Sequence, residues 1–175
     1  ASVFRVGGVG WIMAMVVVMG SMGAPAAADD DASPADVAFR LAADLQQQGE
    51  FEAAAEAWAL YVLKHPAHRF IAQGLLNEGI CQLKASRLEA AETTLRRAIA
   101  KFPRFEMLED AYFYLAVAQY NQARSGKTEA FAAAARTFDT LAAKFPRSKY
   151  LSQAVYYRAE CLYALGEREQ DVGGV

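Results

Sequence analysis

Few groups in this sequence are able to do chemistry, and their spacing argues against most reactions. The two histidines stand together in His65-Pro66-Ala67-His68, with no cysteine and no carboxylate cluster beside them. A protein-bound metal needs several converging ligands, so this pair predicts a solvent-exposed loop and no metal site. Ser125-Gly126-Lys127-Thr128 has the ending of a phosphate-binding loop, but that motif needs a glycine five residues before Gly126, where Asn121 stands, and a preceding strand. Nucleotide binding is not expected. Cys81 and Cys161 each lie two residues after a small residue, Gly79 and Ala159. That equivalence predicts buried packing positions rather than reactive thiols. No Ser/His/Asp set or paired-carboxylate pocket can be assembled from local spacing, so no catalytic residue, cofactor or small-molecule substrate is expected.

Composition narrows the class further. The 175 residues are 54% hydrophobic and 22% charged, which excludes a disordered or collagen-like chain. With 18 basic against 20 acidic residues and no Lys/Arg stripe, nothing would gather phosphates, so nucleic acid is not an expected partner.

The elements that position these residues begin with a separate N-terminal segment. Arg5 precedes the apolar run from Val9 to Met19, then Gly20, Pro25 and the small triplet Ala26-Ala27-Ala28. A basic end, a short apolar core and a small-residue exit form a secretory leader, 1–28, cleaved after Ala28. The run is short of the roughly 20 residues of a spanning helix, an uncleaved anchor being the alternative. The first cysteine is Cys81, so no lipid attachment is expected at that cleavage point. Residues 29–34 read as a polar linker, with Ser33, Pro34 and Asp36 as helix cap, first helical residue and capping acid.

From there the chain repeats. Pro66, Pro103 and Pro146 each close an apolar helical run, and twelve residues before each stands an alanine, Ala54, Ala91 and Ala134. Large apolar residues lie three before each alanine (Phe51, Leu88, Phe131) and four after it (Trp58, Leu95, Phe138). Thirteen after each proline is a small residue, Gly79, Ala116 and Ala159, with Ala42 in the same column of the first unit. Each unit is thus a helix hairpin in which small residues let the helices approach and large ones fill the space beside them. A hairpin cannot cover its own apolar face, so the units must stack. Helices are predicted near 35–48, 52–64, 70–84, 88–101, 107–122, 129–144 and 149–165. Turns are expected at Gly49-Glu50, at Ser86 with Glu89 as a capping box, and at Gly166. Six extra residues between Ala116 and Ala134 predict a longer third loop.

These residues resemble the tetratricopeptide repeat family over 35–165, and the 37-residue spacing from Pro66 to Pro103 is similar to bacterial envelope repeats of BamD type and CpoB type. The resemblance implies an all-α fold, a right-handed α-solenoid of about three and a half hairpins. It also implies a concave groove lined by the first helices. Counting from the small column places Phe39, Leu76, Phe113 and Tyr156 there, beside Arg40, Asn77, Tyr114 and Tyr157. Ile80, Val117 and Tyr120 complete the expected binding residues. The carboxylate clamp of chaperone-binding members is matched only at Asn77. An apolar, tyrosine-rich groove suits a peptide with hydrophobic anchors.

Residues 166–175 read as a tail or truncated repeat, leaving the last helix without its hairpin partner. Either the repeats continue or this face docks, including onto a second copy. The expectation is an exported, periplasmic or secreted, non-enzymatic scaffold with a protein or peptide partner in the cell envelope. The alternative is the repeat section of a longer exported enzyme or of a secretion or outer-membrane assembly component.

Overall fold

The computed structural model describes residues 32–173. Seven helices follow one another: α1 (Pro34–Gln47), α2 (Phe51–Lys64), α3 (Ile71–Lys84), α4 (Leu88–Lys101), α5 (Leu108–Arg124), α6 (Ala130–Lys144) and α7 (Leu151–Gly173). Each packs on its sequence neighbours, and first helices also meet across hairpins, α3 with α5 and α5 with α7. This is the stacked-hairpin solenoid of a tetratricopeptide-like chain. The leader and the first half of the linker proposed from the sequence lie outside the described residues.

The repeat columns form the core. Ala42, Ala54, Ala91, Ala116 and Ala134 are all fully buried, as are the large residues Trp58 and Leu95, and Phe138 nearly so. Gly79 shows why its column is small: a Cβ there would lie 2.6 Å from Leu95 Cγ. A second close approach escaped the spacing argument, since a Cβ on Gly74 would lie 2.5 Å from Tyr61 Cε1.

The helix ends repeat as faithfully. Ser33 caps α1, its Oγ accepting from the Asp36 amide at 3.2 Å, with Pro34 in the first turn. At the C-terminal ends of α1, α3 and α5 the chain reverses through the same pair of bonds. The Glu50, Arg87 and Lys127 amides reach back to the Leu45, Gln82 and Gln122 carbonyls, and the Gly49, Ser86 and Gly126 amides to those of Gln46, Leu83 and Ala123. This Schellman geometry needs a left-handed residue, supplied by Gly49 (φ 82°), Gly126 (φ 112°) and Ser86 (φ 61°). Ser86 therefore ends α3 rather than capping α4; Arg87 occupies the N-cap position, without a side-chain cap.

A left-handed conformation costs a non-glycine residue about 1–2 kcal/mol, partly offset because glycine loses more freedom on folding. Ser86→Gly is therefore expected to stabilise the fold by about 0.5–1 kcal/mol, read as a raised urea midpoint with unchanged slope.

Two boundaries differ from expectation. The six extra residues of the third hairpin do not all enter its loop: α5 is 17 residues long against 14 for α3, and α6 starts one position earlier in its column than α4. Helix α7 runs through Gly166 to Gly173 instead of turning there. Glu167-Arg168-Glu169-Gln170 are good helix formers, and they outweigh one helical glycine, about 1 kcal/mol less favourable than alanine.

Candidate functional site: the first-helix face and the open ends

The residues singled out for a groove lie on the first helices α1, α3, α5 and α7, and their burial divides them. Phe113 and Tyr120 are each only 7% exposed, and the neighbouring Leu76 is fully buried. The Phe113 ring stacks on Tyr150, centroids 4.0 Å apart and planes 7° apart, while Tyr120 packs against Phe131 and Tyr157. These side chains are interhelical core, which corrects the expectation that Phe113 and Tyr120 line an open groove. Phe39 is half-buried, edge-on to Trp58 at 4.9 Å. The physical cause is the column itself: three residues before the small position and four after it, a side chain sits over the crevice between packed helices.

What remains at the surface is a band one and four residues further along each helix. Arg40 is exposed, and Asn77, Ile80, Tyr114, Val117 and Tyr157 are half-buried. Tyr157 rests on Phe138 (5.8 Å, 16°), and Tyr114 stands edge-on to Tyr150 at 6.3 Å. Tyr156 is exposed and belongs to the open side of α7.

Carboxylates that are buried (Asp110) or half-buried (Glu92) tie the hairpins together. The Tyr150 hydroxyl donates to Asp110 Oδ1 at 2.6 Å, and Lys149 Nζ approaches the same oxygen at 2.9 Å. Glu92 accepts from Arg96, Gln119 and Gln122, while fully buried Gln119 accepts from Thr137 Oγ1 at 2.7 Å, joining α4, α5 and α6. Burial opposes ionisation of Glu92, but the hydrogen bonds from Gln119, Arg96 and Gln122 outweigh it and hold the carboxyl below its usual range.

Glu78 is the contrary case. Its burial against α4 raises the carboxyl above the ordinary glutamate value despite Arg97 at 3.1 Å, Thr94 and Gln82. The Gln82 Oε1 atom is buried without a hydrogen-bond partner, so a proton on Glu78 would supply a donor that the ionised form lacks. A raised folded value means that the folded state holds this proton more tightly than the unfolded chain. The contribution is fully present below the unfolded value of 4.5 and is lost as pH rises through the folded one. Relative to Glu78→Gln, the parent is expected to gain stability as pH falls from neutral towards 4.5, measured by urea unfolding at each pH.

The histidine pair also differs from expectation. The His68 side chain is only 15% exposed: Nδ1 lies 2.6 Å from the Tyr61 hydroxyl and Nε2 lies 3.4 Å from Asp36 Oδ1. The turn after each closing proline places one side chain against the stack, and His68 holds that place, as Phe105 and Ser148 do later. Sequence spacing contained this signal, because 68 and 105 share the 37-residue period. Cys81 and Cys161 are fully buried free thiols, and desolvation pushes both up to about 11.

Both ends expose apolar surface. Between α1 and α2, Val37, Leu41 and Leu60 line an open groove of about 550 Å³. At the other end, α7 exposes Val155, Tyr156, Leu162 and Tyr163. Among the described residues no cluster of three His, Cys, Asp or Glu could hold a metal, and no helix is long and apolar enough to cross a membrane.

A stack of helix hairpins whose accessible features are faces rather than reactive pockets defines a repeat scaffold of tetratricopeptide type. The chain belongs to the YfiO family of outer membrane lipoproteins, whose family model matches residues 31–171. That assignment bears out the resemblance to BamD-type envelope repeats. No curated protein matches the chain closely enough to add to it.

Proposed function

We propose that this protein is a non-enzymatic scaffold of the cell envelope that holds a segment of a partner protein along its first-helix face. Export would follow from the leader at 1–28, leaving Asp29 as the first residue of the mature chain. The observation that carries the reading is the set of half-buried side chains, Asn77, Ile80, Tyr114, Val117 and Tyr157, at matching positions of the packed first helices α3, α5 and α7. Tyrosines of this kind offer large, rigid contact area with a polar tip, as binding surfaces favour. The groove is narrower than a reading of every column suggests, because Phe113 and Tyr120 belong to the core.

The test is a crosslinking pull-down from envelope fractions with the parent and a Tyr114→Ala/Tyr157→Ala double variant. Hot-spot tyrosines typically contribute about 2 kcal/mol or more each, so partner recovery should fall at least about tenfold while the helical circular dichroism is retained. Undiminished recovery with a folded variant would place the partner elsewhere.

A further inference from the structure

The turns that join one hairpin to the next repeat each other as closely as the helices do. In each, two backbone bonds close the same reversal. The His68, Phe105 and Ser148 amides donate to the His65, Phe102 and Phe145 carbonyls, and the Ile71, Leu108 and Leu151 amides to those of His68, Phe105 and Ser148. Residues 64–69, 101–106 and 144–149 are therefore equivalent. The packing of α3 on α5 and of α5 on α7 sets the three turns side by side on one edge of the stack. Lys64, Lys101 and Lys144 open the turns, Arg104 and Arg147 share their fourth position, and Arg69 and Lys149 their sixth. All seven cations are exposed, and Glu106 is the one acid within these turns. Just beyond them, Glu109 is half-buried and Asp110 buried.

The edge at the other end of the helices is balanced. Its equivalent stretches, 47–52, 84–89 and 124–129, hold four cations, Lys84, Arg87, Arg124 and Lys127, and four acids, Glu50, Glu52, Glu89 and Glu129. Arg87 lies 3.8 Å from Glu52, and Lys127 lies 2.6 Å from Glu89. At the basic edge, Lys149 is held by Asp110 and Arg69 lies 3.9 Å from Asp36. Among the described residues no carboxylate forms an ion pair with Lys64, Lys101, Arg104, Lys144 or Arg147. These cations are spaced by whole repeats, so the sequence shows no basic run and only the stacking of hairpins gathers them.

We infer that this edge lies on a membrane, its lysines and arginines against anionic lipid headgroups, and leaves the first-helix face between the two edges free for a partner. At about 10 Å per helix layer, successive turns stand about 20 Å apart, more than two Debye lengths of about 8 Å at physiological salt. An acidic peptide would have to repeat its charge at those intervals, whereas a sheet of headgroups meets all three turns in any register. Apolar side chains stand among the cations. Leu63 is 75% exposed, and Phe70 is 37% exposed with the Arg69 guanidinium 4.5 Å over its ring. Cations beside apolar side chains are the mixture that settles into a headgroup layer, and a family of outer membrane lipoproteins works beside one.

Flotation of the full chain with two kinds of vesicle tests the inference, one of phosphatidylcholine alone and one with about a third phosphatidylglycerol. Each cation near an anionic surface strengthens binding about fivefold, so the parent should prefer the anionic vesicle by about tenfold or more. Raised salt should erase that preference. Lys101→Gln/Arg104→Gln/Lys144→Gln/Arg147→Gln should erase it too. Lys84→Gln/Arg87→Gln/Arg124→Gln/Lys127→Gln removes as many charges from the other edge and should keep the preference within about twofold. Circular dichroism checks that both variants stay helical, and any contribution of the apolar segment 9–19 is common to all of them. Equal binding of the parent to both vesicles overturns the inference. So does an equal loss in the two variants, which would make net charge the cause rather than this edge. Binding to polyglutamate at a salt concentration where the anionic vesicle is not bound overturns it as well, and assigns the edge to an acidic protein. The Tyr114→Ala/Tyr157→Ala variant leaves the basic edge intact and should keep the vesicle preference, so the two proposals can fail separately.

Discussion

Trp58→Ala is expected to destabilise the protein by about 3–5 kcal/mol, the range for truncating a fully buried aromatic side chain. Trp58 is completely inaccessible, lies edge-on to Phe39 and Tyr61, and donates its indole N–H to Gln46 Oε1 at 2.8 Å. Removing the ring therefore opens a cavity between α1 and α2 and strands the Gln46 carbonyl. Natural domains hold only about 5–15 kcal/mol in total, so much of the margin would go. Urea unfolding followed by far-ultraviolet circular dichroism measures the loss. Trp58→Phe separates the two contributions: it keeps most of the packing and removes the hydrogen bond, and should cost about 1–2 kcal/mol. A Trp58→Ala protein with an unchanged midpoint would contradict the placement of this column in the core.

Phe113→Ala is expected to cost a further effect of similar size, about 3–5 kcal/mol, and to act on the fold rather than on recognition. Phe113 is sandwiched by Tyr150 and meets Tyr114 and Phe138 edge-on. Its loss would also loosen Tyr150, whose burial, and then its hydroxyl hydrogen bond to Asp110, raise its pKa. The helix-to-helix anchor at the start of α7 would weaken with it. Tyr114→Ala, by contrast, removes a half-buried ring at the edge of the same cluster and should cost much less stability. Melting temperature and partner recovery measured on the same samples distinguish the residues. Phe113→Ala should lose melting temperature, whereas Tyr114→Ala should keep most of it and lose recovery. The reverse assignment would return Phe113 to the binding surface.

The hairpins were legible from the sequence because their determinants are local or periodic. An alanine with large residues three before and four after it, and a proline twelve further on, states a helix, its buried side and its stop, and the observed helix bounds fall within two residues of the predicted ones except at the end of α7. Cys81 and Cys161 were legible for the same reason, since a repeat column carries its burial with it. Three features were decided only by tertiary structure. Ser86 looks like a helix cap in sequence, but the reversal after α3 needs a left-handed residue at that position, and the packing of α4 on α3 imposes it. The 37-residue period marks the place of His68, but not its partners: Tyr61 and Asp36, 7 and 32 positions away, close around it only when α1 and α2 come together. Phe113 and Tyr114 are adjacent aromatics that composition cannot tell apart. Which one is buried depends on the angle at which α5 meets Tyr150 and Phe138, because one residue turns a side chain by about 100° around a helix.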